Sequence, residues 1–152
     1  MKLIEIKKDL FDMPKEYALA HCISADFALG AGIAKEFDKR FGTREDLFIT
    51  ACGDMTDSWE ETRGNCIVTR WRYSDPVVFN LITKRNYWDK PTLETIEEAL
   101  MRMRFNCFLW GVSKIAMPRI GCGLDKQKWS DVKPLIEKVF GDTDFEIVVC
   151  VK

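Results

Sequence analysis

At 152 residues the chain has room for one domain, 1–152, with a sizeable core. Apolar residues make up 47% and charged residues 31%, the balance of a globular protein. A net charge of −1 leaves no broad basic footprint for nucleic acid, and no apolar run approaches the roughly 20 residues that a bilayer span needs.

The N-terminus, Met1-Lys2-Leu3-Ile4-Glu5-Ile6, enters a strand pattern at once and lacks the apolar core of a signal peptide. A cytoplasmic protein is therefore expected, or a nuclear one in a eukaryotic cell. Strands are predicted over 3–6, 18–22, 65–71, 77–82, 114–117 and 145–151. Several are short and almost continuously apolar, as in strands covered on both faces. Helices fall between them, at 33–41, 44–52, 93–110 and 131–140. In the third, Leu93, Ile96, Leu100, Met103 and Cys107 recur at three- and four-residue steps, with Thr92 placed to cap and Gly111 to end it. For the last, Ser130 is the expected cap and Gly141 the stop, with Pro134 in the first turns. Segments 73–76 and 85–91 read as loops. Strands alternating with helices predict an α/β fold with a mostly parallel sheet.

The six cysteines are widely spaced and mostly inside apolar segments, so reduced, buried thiols are expected rather than a disulfide framework. No Cys-x-x-Cys occurs and His21 is the only histidine, so no metal is expected. The five tryptophans read as core or rim, and Trp129 as core.

Two glycine loops follow strands. The first runs Ser24-Ala25-Asp26-Phe27-Ala28-Leu29-Gly30-Ala31-Gly32-Ile33 and opens a helix, where backbone N–H groups and the helix dipole favour phosphate. It lacks the third glycine of a dinucleotide fingerprint and the Gly-Lys-Ser/Thr of a Walker loop. A turn shaped by two glycines explains it equally well. The second runs Met117-Pro118-Arg119-Ile120-Gly121-Cys122-Gly123-Leu124-Asp125, a second backbone cradle that ends in an acid. Arg119 is either a phosphate clamp or a surface residue.

Lys84 ends another strand. A free lysine amine, with a pKa near 10.4, is a poor nucleophile until it loses its proton, and an acid within hydrogen-bond reach can relay that proton. Asp125 is the natural partner. Asp9, after the first strand, either accepts from the amine of a base or caps a turn. Ligands in such sheets bind beyond the carboxyl ends of the strands, so both loops and Lys84 can share one crevice.

Four blocks together resemble the macrodomain family: Asp9-Leu10-Phe11; Leu19-Ala20-His21-Cys22-Ile23-Ser24 through Gly30-Ala31-Gly32-Ile33-Ala34; Leu81-Ile82-Thr83-Lys84; and Met117 through Asp125. The resemblance is to the lysine-dependent branch that removes terminal ADP-ribose from proteins and deacylates O-acyl-ADP-ribose. It spans nearly the whole chain. It implies a three-layer α/β/α domain that binds ADP-ribose without metal or cofactor. It also implies that Asp9 and Leu10 meet the adenine and Ser24 the distal ribose. Gly30, Ala31, Gly32 and Ile33 would cradle the diphosphate with Arg119, Ile120, Gly121, Cys122, Gly123 and Leu124. Lys84 would attack the distal anomeric carbon, and Asp125 would move the protons.

Commoner macrodomains carry asparagines that position water where this chain has Ile23-Ser24-Ala25-Asp26, which favours the lysine mechanism. The substrates implied are ADP-ribosyl esters of glutamate or aspartate and O-acyl-ADP-ribose, acted on by a monomer. Three alternatives share these residues: a reader that binds ADP-ribose without turnover, a phosphatase of ADP-ribose 1″-phosphate, and a hydrolase freeing ADP-ribose from a DNA base. In the last, nucleic acid is a partner only as the modified substrate. The segment 43–61 carries no recognisable motif.

Overall fold

Period-two alternation along the strands sends side chains into two separate cores, and this makes the fold three-layered. The computed structural model describes all residues, Met1–Lys152. In β2 (Ala18–Ser24), Ala18 and Ala20 face one side while Leu19 and Ile23 face the other. The largest core lies on the first side. There β3 (Cys66–Thr69), β4 (Val78–Lys84), β5 (Lys114–Met117) and β6 (Glu146–Val151) meet α4 (Leu93–Trp110) and α5 (Trp129–Phe140). On the second side, α1 (Gly32–Phe41) seats Phe37 against Leu19, Val78 and Val148, and α2 (Thr43–Ala51) seats Leu47 beside Ile23 and Ile82.

With β1 (Lys2–Lys7) at one edge, the strand order is β1-β6-β5-β2-β4-β3. Every neighbouring pair is parallel except β3 with β4. The mixed, mostly parallel sheet expected from the sequence is therefore present. No helix is long and apolar enough to cross a membrane.

Most elements match their predicted positions, and the differences have local causes. The third strand spans only Cys66–Thr69, because Arg70 leaves the ladder: its N–H donates to Asp46 and its guanidinium to the Asp75 and Tyr73 carbonyls. The last helix starts at Trp129, two residues early, and its N-cap is Lys128, with no side-chain cap. Ser130 lies inside that helix and does not cap it. Trp129 packs against the main core and beneath the Arg119 guanidinium, so burial rather than capping sets this end. Pro134 consequently falls in the second turn. The segment 43–61 holds α2, at the helix predicted over 44–52, and one further turn, α3 (Trp59–Thr62); only that turn goes unannounced by the sequence. All six cysteines are free thiols, and only Cys52 is exposed. Trp71, Trp88 and Trp110 are exposed.

Candidate active site

Lys84 ends β4, and a bulge sets where it points. The β2–β4 register runs Ile23 to Ile82 and then Ser24 to Lys84, which leaves Thr83 as an extra residue on β4. The backbone around it is tied from both sides. The Ala25 N–H donates to the Lys84 carbonyl at 2.9 Å, and the Thr95 hydroxyl, in the first turn of α4, donates to the Thr83 carbonyl at 2.7 Å. Thr92 and Thr95 form a reciprocal capping box that fixes that turn.

Asp125 arrives from the opposite side on the second glycine loop. This loop is a pair of linked turns: Cys122 N–H donates to the Arg119 carbonyl, Gln127 N–H to Gly121 and Lys126 N–H to Gly123. Gly121 sits at φ +73°, and a Cβ there would lie 3.0 Å from Ile96. Lys126, just after the acid, holds φ +60°, a conformation costly for a residue with a side chain. Ile120 is buried beneath and anchors the turns. The result is a Lys84 Nζ to Asp125 Oδ1 contact of 2.7 Å between side chains only 14% and 13% exposed.

The pair lies in a cavity of about 710 Å³ lined by both glycine loops, Cys22, Ser24, Tyr87 and Lys90. That volume suits a bound small molecule. One wall is the start of α1. Ala31 at its N-cap offers no side-chain acceptor, so the first N–H groups of the helix are left for a ligand. Gly32 has φ +58°, and a Cβ there would lie 3.2 Å from Leu124 Cδ1, so the two loops nearly meet at this point. Cys22 is no rival nucleophile. Burial, reinforced by the Asp125 charge, pushes its thiol up to about 12.

Of the residues singled out from sequence, Lys84, Asp125, Ser24, Gly30, Ala31, Gly32, Ile33, Arg119, Ile120, Gly121, Gly123 and Leu124 line this one cavity. Asp9, Leu10 and Cys122 do not. The sheet order accounts for Asp9: β1 is an edge strand, and four strand spacings of about 4.8 Å put its end roughly 19 Å from that of β4. There Asp9 accepts from the Phe11 N–H at 3.0 Å and pairs with Lys152 at 3.4 Å. The Phe11 hydrogen bond, with Lys152 assisting, holds its carboxyl below the usual range. Leu10 is buried in the core, and the Cys122 thiol donates to the Ile120 carbonyl. Arg119 does not turn its guanidinium into the cavity as a clamp. It pairs with Glu5 at 3.1 Å and lies over Trp129, so what it brings to the cradle is backbone. Arg85 likewise donates to the Thr56 carbonyl.

Three residues were missed. Asp26 is the junction of two loops: Oδ1 accepts from the Ser24 hydroxyl at 2.5 Å and the Ala28 N–H at 3.0 Å, and Oδ2 accepts from the Tyr87 N–H at 2.8 Å. It thereby secures a segment in which Phe27 and Leu29 both hold positive φ. The Asp26-to-Ala28 contact is an Asx turn, a signal that the sequence did contain. Lys90 donates to the Leu124 carbonyl at 2.9 Å, and Tyr87 stands at the cavity rim. Nothing local in the sequence marks either one.

No family model matches the chain. It is 39% identical over 150 residues to ADP-ribose glycohydrolase OARD1 of Homo sapiens, an alignment that covers 97% of this chain and 90% of that protein. The solved macrodomain of Thermus aquaticus DarG superposes with a TM-score of 0.82 at 23% identity, over 99% of this chain and 98% of that one. Thermosipho africanus DarTG in complex with ADP-ribose superposes at 0.78 and 20% identity, over 99% of this chain and 42% of that one. With this fold and an OARD1 relative matched over nearly its full length, the chain belongs to the macrodomain family.

Proposed function

We propose that this protein is an ADP-ribosyl hydrolase whose substrates are ester-linked ADP-ribosyl conjugates of acidic side chains and O-acyl-ADP-ribose. The observation that carries this reading is the sheltered Lys84–Asp125 pair, at 2.7 Å, in a cavity walled by two backbone cradles. Similarity to ADP-ribose glycohydrolase OARD1 supports the activity. The rim suits an extended ligand. Asp9, Pro118, Ser24 and Lys84 all follow or end strands on the carboxyl side of the parallel sheet. An adenine near Asp9 and a distal ribose near Lys84 would leave the diphosphate over the glycine loops.

The chemistry follows from the pair. Asp125 takes the proton of the Lys84 ammonium, and the freed amine attacks the anomeric carbon of the distal ribose. In a conjugate acylated at the anomeric oxygen, as the Nζ–carbon bond forms, the carbon–oxygen bond to the acyl group breaks, and the carboxylate leaves with the electron pair. Water then adds to the anomeric carbon and gives its proton to the solvent, while the carbon–nitrogen bond breaks and Lys84 leaves as the neutral amine. Free ADP-ribose departs, and Asp125 returns the proton to Lys84. A carboxylate leaves without needing a proton, so one acid–base residue is enough for the cycle.

The direct test is to incubate the protein with an ADP-ribosylated glutamyl peptide and, separately, with O-acetyl-ADP-ribose, and to quantify free ADP-ribose. Turnover of both is expected. Tight ADP-ribose binding with no release from either compound would make the protein a reader.

Two further results are expected from the cradle. Asp26→Ala should lower kcat/KM by about 10- to 100-fold, because both loops lose their common tie. Asp26→Asn keeps the Oδ1 acceptor but puts an amide against the Tyr87 N–H, so its loss should be intermediate. Equal activity in all three proteins would remove Asp26 from the site. Gly32→Ala should weaken ADP-ribose about 10-fold by calorimetry, since its methyl group points at Leu124 and φ +58° disfavours it.

A further inference from the structure

The outer face of α4 changes character halfway along. In its N-terminal half the outward positions are acidic, with Glu94 and Glu98 both paired to Arg63. In its C-terminal half the outward stripe is Met101, Phe105, Phe108 and Leu109, spaced at four, three and one residues. These four side chains are between 58% and 67% exposed. Scattered exposed apolar residues are ordinary, whereas a contiguous stripe of this kind is the size of the largest apolar patch on a typical monomer, a patch that is often functional.

We propose that this stripe is the isologous interface of a homodimer, in place of the monomer expected from the sequence. Its chemistry is symmetric about Phe105. When two copies of α4 pack antiparallel on a twofold axis there, Phe105 meets Phe105 and Met101 meets Leu109, four residues to either side. Arg102 meets Phe108, three residues to either side. Arg102 is exposed and is the one charged residue of α4 with no ion pair, so a ring across the axis gives it a cation–π partner. Such self-complementarity is what a twofold interface requires, and a different partner would have no need of it.

The area is sufficient. Large side chains carry roughly 200 Å² each, so at this exposure the stripe offers about 450 Å² per copy. With Arg102 and the exposed Trp110 at the rim, two copies bury on the order of 1,000 Å², the lower bound for a specific interface. Antiparallel helix dipoles also favour the arrangement. The active sites stay open. Thr95 grips the strand end beside Lys84, and Phe105 lies ten residues further along the helix, about 15 Å away.

The test is the solution mass of the full chain across a concentration series, by sedimentation velocity, with Phe105→Asp alongside. The wild type should reach twice the mass of one chain, with a dissociation constant on the order of 1–10 µM. Phe105→Asp should stay monomeric, keep the wild-type circular dichroism spectrum, and release ADP-ribose at the wild-type rate. A wild type still monomeric about 100-fold above that range would overturn the proposal, as would a Phe105→Asp protein that dimerises equally well.

Discussion

Lys84→Ala should lower ADP-ribose release at least about 1,000-fold and leave ADP-ribose binding within a few-fold of wild type. The split follows from geometry. The cradles are built from backbone on 28–33, 118–121 and 123–125, whereas the lysine contributes one amine to the cavity wall. Lys84→Arg is the sharper variant. It keeps a cation opposite Asp125, so the pocket remains neutralised, but a guanidinium does not lose its proton. It should therefore be as inactive as alanine while unfolding near the wild-type temperature. Asp125→Asn should cost about 100- to 1,000-fold, because a hydrogen bond survives but no proton moves.

Asp125→Ala should also destabilise the fold, since it strips the counter-charge from a lysine only 14% exposed. The lysine N-glycoside can open its ribose ring to an iminium, so cyanoborohydride during turnover should reduce it to a stable adduct on Lys84 in the wild type and give none in Lys84→Arg. Activity within three-fold of wild type in both lysine variants would end the nucleophile assignment.

Acidification should weaken the fold by about 2 kcal/mol between pH 7.5 and 5, and His21 should be the cause. Its ring is fully buried in β2, stacked on Phe37 with centroids 3.8 Å apart. Asn80 Nδ2 donates to the Ile67 carbonyl and the Thr69 hydroxyl, so Asn80 Oδ1 is the acceptor, and His21 Nε2, 2.7 Å away, carries the proton. Nδ1 then lies buried with no partner, and a second proton would have nothing to donate to.

Burial accordingly pushes the imidazole down to about 4, against 6.5 when unfolded, with the Asn80 contact opposing only in part. A depressed imidazole favours the folded state fully above pH 6.5. That advantage is lost as pH falls through the unfolded value, and the loss levels off below about 4, at roughly 3 kcal/mol in total. Ordinary carboxylates titrate below most of this window, so the slope between pH 6.5 and 5 belongs chiefly to the histidine. Urea unfolding at pH 7.5, 6 and 5 measures it. His21→Gln should flatten the slope, and an unchanged slope would move the cause elsewhere.

The sequence alone determined what short-range chemistry can determine. Short apolar runs and three-to-four spacing placed six strands and four main helices, because burial acts within a few residues. Glycine pairs after strands, and a lysine ending a strand, marked segments that line the cavity. Where an element is set by its neighbours, sequence fell short. Trp129 starts α5 because it packs under Arg119, which no capping rule foresees, and Arg70 leaves β3 for partners at Asp46, Tyr73 and Asp75.

Tertiary structure decided the site. Lys84 and Asp125 are 41 residues apart, and only the order β5-β2-β4 with a bulge at Thr83 brings them to 2.7 Å. The same order sends Asp9 to the far edge, turns Arg119 onto Glu5, and ties Asp26 to Tyr87, 61 residues further along the chain. These outcomes depend on which strand lies beside which, and strand order is a property of the whole core rather than of any local segment.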